Sequence, residues 1–254
     1  MHTRRLFMKN GMGGLGLLTL PSLLSSQLAE VRKKIVVAGG HPDDPETGCA
    51  GTILQLVKAG HEVTIIYLTN GDRGIEGKGL AESSDIRRKE AIAACKILGA
   101  KPVFANQVDG DSVMNNPELL RFEKLLFSEN PDIVFVHWPI DSHKDHQVAS
   151  LLTIQAWNHT QRPFTLYFYE VCTGVQTFGF HPTDYVDISA TRQSKLEVLV
   201  CHKSQNIVEN GKYTPAFYDC GHPSMEDFRG KELGVKAAEA FIRMNGRGFG
   251  ALEF

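Results

Sequence analysis

The chain has 254 residues, a formal net charge of −2 at pH 7 and 42% hydrophobic residues. This length accommodates one α/β domain of ordinary size. The nearly balanced charge argues against a general affinity for nucleic acid, which requires an excess of basic side chains.

The first 29 residues differ in composition from the rest of the chain. Arg4 and Arg5 precede a run from Gly11 to Leu24 that is rich in glycine and leucine. This pattern is typical of a twin-arginine export signal, and the run is too short for a membrane-spanning helix. We therefore expect residues 1–29 to be an export leader, with a short amphipathic or disordered extension as the alternative. The expected location is periplasmic or extracellular, with membrane association left open and no stable membrane span once the leader is removed.

From residue 30 to residue 254, predicted strands and helices alternate along the chain. The predicted strands are residues 34–38, 63–68, 102–104, 133–136 and 165–170. The predicted helices are residues 45–58, 84–98, 117–127, 143–157, 193–200 and 230–243. This alternation favours a single α/β domain, a Rossmann-like and mainly parallel sheet with helices on both faces. Three long loops, residues 71–83, 106–116 and 206–229, are expected to wall a substrate cleft.

A histidine and three carboxylates follow the first predicted strand. They are His41, Asp43, Asp44 and Glu46, and they stand just before a predicted helix. In open α/β sheets, ligands bind in the crevice at such strand ends. A neutral histidine with a carboxylate suits a divalent metal such as zinc, and a second carboxylate can act as a base. The alternative is purely structural, because Asp44 with Pro45 also has the pattern of a helix N-cap followed by proline.

A second group of histidines and aspartates follows the predicted strand at 133–136. Ser142 is a plausible N-cap, and Asp145 three residues later completes a pattern like a capping box. His143 and His146 then lie three positions apart, on one face of the first helical turn. Two strand ends of this kind can converge across one crevice of a parallel sheet. The alternative for an isolated histidine is a hydrogen-bonded surface or core residue.

Together these segments resemble the PIG-L/LmbE-like family of zinc-dependent N-deacetylases. The likeness is closest in the segment 41–52, which runs His-Pro-Asp-Asp-Pro-Glu-Thr-Gly-Cys-Ala-Gly-Thr, and in the segment 143–146, His-Lys-Asp-His. It continues through the loop 68–74, an Arg-x-x-Glu helix segment from Arg87, and the His-x-Ser-Gln segment 202–205.

The resemblance implies an LmbE-like fold and a set of site residues. His41, Asp44 and His146 would bind a zinc ion, with ferrous iron as the alternative metal. Asp43 would be the general base, and His143 would stabilise the oxyanion or protonate the leaving amine. Asp145 would orient one of the histidines. Some family members place an aromatic hydroxyl just before the His-x-x-His pair, where this chain has Asp141 and Ser142.

The implied reaction is hydrolysis of an N-acetyl group on an amino sugar such as N-acetylglucosamine, or on a glycoconjugate, with release of acetate. Candidate substrate contacts are Arg73, Arg87, Asp109 and His202. The alternatives are solvated loop charges for Arg73 and Asp109, a helical pair with Glu90 for Arg87, and a buried polar bridge for His202. Two alternatives stay open. One is another metal-dependent amide or ester hydrolase, and the other is a metal- or glycan-binding protein without turnover.

Overall fold

A computed structural model of the protein describes residues 31–172, 175–209, 212–215 and 222–244. The predicted export leader, residues 1–29, lies outside these ranges. The described residues from 32 onward belong to one unit, a single α/β domain. None of the helices in the described ranges is long and apolar enough to cross a bilayer.

A seven-stranded sheet forms the centre of the domain. The strands of the described residues are β1 (Lys34–Gly39), β2 (Glu62–Thr69), β3 (Lys101–Gln107), β4 (Ile133–His137), β5 (Thr165–Tyr169), β6 (Asp184–Asp187), β7 (Asn206–Glu209), β8 (Lys212–Pro215) and β9 (Ala238–Arg243). The order in the sheet is β3-β2-β1-β4-β5-β9-β6. Strands β1 to β5 pair in parallel, whereas β9 runs antiparallel to both β5 and β6. Strands β7 and β8 form a separate antiparallel pair.

Helices cover both faces of this sheet, as predicted. They are α1 (Asp44–Lys58), α2 (Leu80–Leu98), α3 (Asn116–Ser128), α4 (Lys144–His159), α5 (Arg192–Leu199) and α6 (His222–Leu233). Ile35 and Val37 of β1 pack in a core with residues of α1, α2 and α5. Val36 and Ala38 pack in a second core with residues of α3 and α4. Successive side chains of a strand point to opposite faces, so a strand that is apolar throughout serves two cores.

The sheet has a topological switch point at β1. From β1 the chain passes to β2 on one side, and β4 pairs with β1 on the other side. Crevices of this kind, at the carboxyl ends of neighbouring parallel strands, are the usual ligand sites of open α/β sheets. Here β1 ends at Gly39 just before α1, and β4 ends at His137 just before α4. The two histidine- and aspartate-bearing segments therefore leave the sheet next to each other.

The prediction of a helix at residues 230–243 is wrong. Helix α6 ends at Leu233, and residues 238–243 are instead the strand β9. Gly234 has a φ of +84°, a left-handed conformation that commonly ends helices. Ala238 to Phe241 are buried in β9, so pairing with two strands overrides the helical preference of the alanines.

Other predicted boundaries also differ from the structure. Strand β6 was not predicted, and the expected loop at 206–229 contains β7, β8 and the start of α6. The N-cap of α1 is Asp43, one residue before the predicted Asp44. The N-cap of α4 is His143, one residue after the predicted Ser142. Both helices begin where expected to within one residue, so the position of the site at their N-termini is unaffected.

Candidate active site

One carboxylate oxygen of Asp44 is the meeting point of the two strand ends. Its Oδ2 lies 3.1 Å from Nδ1 of His41 and 3.2 Å from Nε2 of His146. Nε2 of His137, the last residue of β4, lies 3.3 Å from the same oxygen. The backbone N–H of His41 also donates to it at 2.7 Å. The structure thus brings together the three predicted metal ligands, His41, Asp44 and His146.

Gly40 is the residue that allows this close approach. A Cβ at this position would lie 2.8 Å from Cδ2 of His146 and 3.2 Å from Oδ2 of Asp44. The first distance is shorter than side-chain contacts tolerate, so any larger residue would push the two predicted ligands apart. The close packing of His146 and Asp44 against Gly40 therefore explains why a glycine precedes the His-Pro-Asp-Asp segment.

Asp145 holds the far side of the His41 ring. Its Oδ2 lies 3.0 Å from Nε2 of His41. A second carboxylate oxygen, Oδ1 of Asp109, lies 3.2 Å from the same nitrogen. Asp145 also accepts hydrogen bonds from Ser112 Oγ at 2.5 Å and from the Gly110 N–H at 2.6 Å. Burial raises the pKa of Asp145, but the hydrogen bonds from His41, Ser112 and Gly110 outweigh it and hold that pKa below its usual range. Asp145 is therefore an anion that orients the predicted ligand His41.

Asp141 acts in the same way on His146. Its Oδ1 lies 3.1 Å from Nδ1 of His146, which directs Nε2 of that ring toward Asp44. Burial alone would lower the pKa of His146, but Asp44 and Asp141 together raise it to about 9. Burial would also lower the pKa of His41, yet Asp109, Asp145 and Asp44 raise it well above its usual value. The aspartates therefore place negative charge around both rings, and the same negative charge would stabilise a bound cation.

His137 is a member of the cluster that the sequence analysis missed. Its ring stacks on that of His146, with centroids 4.0 Å apart and planes within 4°. Nε2 of His137 lies between two partners, the Gly40 N–H at 3.1 Å and Asp44 Oδ2 at 3.3 Å. Burial, followed by the charge of His146, lowers the pKa of His137 to about 4. His137 is a neutral ring that supports His146 rather than a free ligand.

The remaining donors fit a catalytic divalent ion. Two groups of donor atoms each lie within 4.8 Å of one another, namely Asp44 with His137 and His146, and His41 with His143 and His146. The predicted ligands His41, Asp44 and His146 are divided between these two groups, which share His146. Because Nε2 of His137 already contacts the Gly40 N–H, the predicted donor set is two imidazoles, His41 and His146, and one carboxylate, Asp44. Nitrogen and oxygen donors of this kind suit zinc or ferrous iron, and three protein ligands leave a position open.

Asp43 lies beside this cluster with its carboxylate against Arg87. Its Oδ2 accepts a hydrogen bond from Arg87 Nη2 at 3.0 Å. Burial raises the pKa of Asp43 to about 6, with Arg87 lowering it and the neighbouring Asp44 raising it. A carboxyl with a pKa near neutrality is matched to the work of a general base at physiological pH.

His143 faces the cavity with a defined tautomer. The backbone N–H of Asp145 donates to Nδ1 of His143 at 3.3 Å, so the proton of the neutral ring is on Nε2. Burial lowers the pKa of His143, and the charges on His41 and His146 lower it further. His143 is therefore a neutral ring with one N–H available as a donor.

A cavity of about 300 Å³ opens onto this cluster. Its wall contains the predicted residues His41, Asp43, Asp44, Arg73, Arg87, Asp109, His143 and His146. It also contains Gln176 and Gln205, whose amides the sequence analysis did not assign. Gln205 falls in the His-x-Ser-Gln segment, which gave a signal for it, whereas Gln176 lies in an irregular segment with none.

His202 is the predicted substrate contact that the structure places elsewhere. Its side chain is 1% exposed, and its Nε2 lies 3.3 Å from Oε1 of Glu46. Glu46 is itself fully buried and accepts a hydrogen bond from the Tyr67 hydroxyl at 2.5 Å. Because its ring is enclosed beside this carboxylate, His202 is a buried partner of Glu46 and not part of the cavity wall.

Comparisons with known proteins find similar sequences and a similar fold. A family model described as PIG-L, GlcNAc-PI de-N-acetylase, matches residues 36–157. The chain is 30% identical over 132 residues to the uncharacterized deacetylase YaiS of Escherichia coli (strain K12), which covers 49% of this chain and 67% of that protein. It is 28% identical over 133 residues to the 4-oxalmesaconate hydratase of Pseudomonas putida, which covers 49% of this chain and 52% of the hydratase. Among solved structures, the N,N'-diacetylchitobiose deacetylase from Pyrococcus horikoshii has a TM-score of 0.74 and 26% identity, with 84% of each chain covered.

Proposed function

The chain belongs to the PIG-L/LmbE-like family of deacetylases, and from this membership we propose that it is a metal-dependent hydrolase. The proposed reaction removes the N-acetyl group from an N-acetylated amino sugar or glycoconjugate and releases acetate. One observation carries the proposal above the others. Asp43, a buried carboxyl with a pKa of about 6, faces the same cavity as His41, Asp44 and His146. A protein that only binds metal or glycan would have no need of such a base.

Zinc is the proposed ion, held by His41, Asp44 and His146, with ferrous iron as the alternative. When bound, such an ion supplies a Lewis acid and a water molecule of lowered pKa. The residues around it fix the two ligand rings. Asp145 holds His41 at 3.0 Å, and Asp141 stands 3.1 Å from His146.

The proposed roles of the chain's own residues follow from their protonation. Asp43, as a carboxylate, accepts a proton from the water that attacks the acetyl carbon. The N–H at Nε2 of His143 donates to the oxyanion that develops on the amide oxygen. When the C–N bond breaks, the proton held by Asp43 passes to the amine nitrogen, directly or through His143. The products are acetate and a free amine.

The substrate is proposed to be a sugar because the wall of the cavity is polar. Arg73 and Asp109 lie there together, with the Arg73 backbone N–H donating to Asp109 Oδ2 at 3.3 Å. The amides of Gln176 and Gln205 line the same cavity. Groups that donate and accept hydrogen bonds at several points of one small cavity suit the hydroxyls of a sugar ring.

A second candidate reaction is the addition of water to a carbon–carbon double bond, because one relative at 28% identity is a hydratase. Asp43 and a bound metal could serve that reaction as well. The two reactions differ in their products, since only the hydrolysis releases acetate.

We further propose that residues 1–29 direct export by a twin-arginine route, on the strength of Arg4 and Arg5 before an apolar run. Replacing both arginines with lysine is expected to leave precursor in the cytoplasm of a bacterium that has this export system. Unchanged localisation of the double variant would contradict the proposal.

Acetate release tests the proposed function. The purified zinc-loaded protein is incubated with a panel of N-acetyl amino sugars and their oligomers, with and without a chelator. Chelator-sensitive acetate release from at least one sugar is expected. Absence of acetate from the whole panel, with retained metal, would leave the hydratase or the binding protein as the better account.

A further inference from the structure

The backbone of Asp43 is strained. Its φ of 122° and ψ of −29° lie outside the regions that residues with a side chain ordinarily adopt. Two of the other non-glycine residues with positive φ in the described ranges, Asn106 and Asn130, have φ of 62° and 50°, in the left-handed region that asparagine tolerates. Strain of this kind persists only where surrounding contacts enforce it, and it concentrates at functional sites.

Arg87 lies against this strained residue. Its side chain is 3% exposed, and Nη2 donates both to the Pro42 carbonyl oxygen and to Asp43 Oδ2. The first acceptor is the carbonyl of the Pro42–Asp43 peptide and the second is the Asp43 carboxylate, so one guanidinium nitrogen holds both the peptide before Asp43 and the Asp43 side chain. Removing it would release both at once.

Two glycines hold the guanidinium in place. A Cβ at Gly74 would overlap Nη1 of Arg87, and a Cβ at Gly71 would lie 3.0 Å from Cζ and Nε of Arg87. Gly71 also has a φ of +66°, which a glycine adopts without strain. The loop 71–74 is therefore closed tightly around the Arg87 side chain, leaving it little freedom to turn toward a ligand.

We propose that Arg87 is a positioning residue, which holds Asp43 in the strained geometry that the base requires, rather than a substrate contact. This inference rests on the proposed function, because it assigns Asp43 the role of base. The positive charge alone is insufficient, since the glycines of the loop 71–74 enclose a planar guanidinium, and a lysine ammonium on its flexible stem would not be held at the same point.

Three variants of the full-length zinc-loaded protein test the proposal. Arg87→Ala removes the guanidinium, and Arg87→Lys keeps the charge without the planar guanidinium. Lys89→Ala is the matched control, because Lys89 is exposed on the same helix and pairs only with Asp85 among the described contacts. Each is measured for metal content, kcat and KM for acetate release, and response to added guanidinium.

The expected result is a selective loss of kcat. Arg87→Ala and Arg87→Lys should lose about 10²-fold in kcat, the usual cost of a misplaced catalytic group. Metal content should be unchanged, and KM should change by less than about threefold because ground-state binding is intact. Guanidinium added to Arg87→Ala should restore part of kcat, and Lys89→Ala should match the unsubstituted protein. A large rise in KM with kcat retained would overturn the proposal and make Arg87 a substrate contact.

Two further measurements keep the test decisive. If Arg87→Ala fails to fold, Gly74→Ala displaces the guanidinium without removing it and should lose kcat in the same way, whereas retained kcat overturns the proposal.

A crystal structure of Arg87→Ala, or of Gly74→Ala in its place, tests the positioning role without any substrate. Asp43 should leave its φ of 122° there, and an unchanged φ overturns the positioning role even if no substrate has been found. Failure of the proposed function would appear separately, as absence of acetate release from the unsubstituted protein.

Discussion

Nε2 of His41 lies 3.0 Å from Oδ2 of Asp145, a residue 104 positions further along the chain. This contact joins the segment after β1 to the segment after β4, and it fixes one predicted ligand from outside the metal position. The fold makes it possible because β1 and β4 are parallel neighbours. Their carboxyl ends open at the same edge of the sheet, so residues distant in sequence share one site.

Asp145→Asn should weaken metal binding without abolishing it. The amide can still accept a hydrogen bond but no longer supplies the negative charge that fixes the His41 ring. Loss of such an outer partner typically costs about 10–100-fold in metal affinity or activity. Competition with a chromophoric chelator measures the affinity. Asp111→Asn, on the exposed loop nearby, is the control and should bind as the unsubstituted protein does.

His146→Ala should lose metal and activity together, because a direct ligand is removed. Elemental analysis of the purified variant is the measurement. His159→Ala is a matched control, since His159 is 53% exposed at the far end of the same helix and pairs with Glu123. Full metal occupancy in His146→Ala would rule out the assigned ligand set.

Gly40→Ala should reduce metal occupancy although it changes no ligand. The new Cβ would lie 2.8 Å from the His146 ring, which must shift away from Asp44. Metal affinity is the quantity to compare, with thermal unfolding of the metal-free variant recorded beside it. Gly77→Ala is a useful comparison because a Cβ there meets no neighbouring atom, although its φ of +76° adds backbone strain. Unaltered metal affinity in Gly40→Ala would show that the ring adjusts freely.

Activity should fall as the pH drops below about 6. The pKa of Asp43 is raised from 3.8 to about 6, chiefly by burial, and the base works only as a carboxylate. kcat/KM should therefore decline about tenfold per pH unit on the acid side, with metal content checked at each pH.

The raised pKa of Asp43 also determines how the stability of the folded state depends on pH. A carboxyl pKa raised by folding stabilises the folded state below the unfolded value, and this contribution is lost as the pH rises through about 6. Metal-free Asp43→Asn should accordingly gain stability relative to the unsubstituted protein between pH 4 and pH 7, by denaturant unfolding; a constant difference would contradict the raised pKa.

The two strand-end segments were predictable because their residue types and their place before helices have a direct physical meaning. His137 was not predictable in the same way, because a histidine at the end of an apolar strand is indistinguishable from a core residue until the stacking on His146 is known. Gln176 reaches the cavity from an irregular segment, which has no periodic pattern. The error at β9 has a related cause. The alanine-rich segment has a helical composition, and only its place between β5 and β6 in the finished sheet makes it a strand.

The proposed reaction depends most on the separate roles of two adjacent residues, Asp43 as base and Asp44 as ligand. Asp43→Asn keeps the size of the side chain and an oxygen that can accept from Arg87, but it removes the basic carboxylate. The direct test measures zinc content and acetate release of this variant side by side with the unsubstituted protein. We predict full zinc content with turnover lower by roughly 10²–10⁴-fold, the usual worth of general acid–base catalysis. Loss of zinc would make Asp43 a ligand and reverse the assignment of the two aspartates, and full activity with bound zinc would show that the base lies elsewhere.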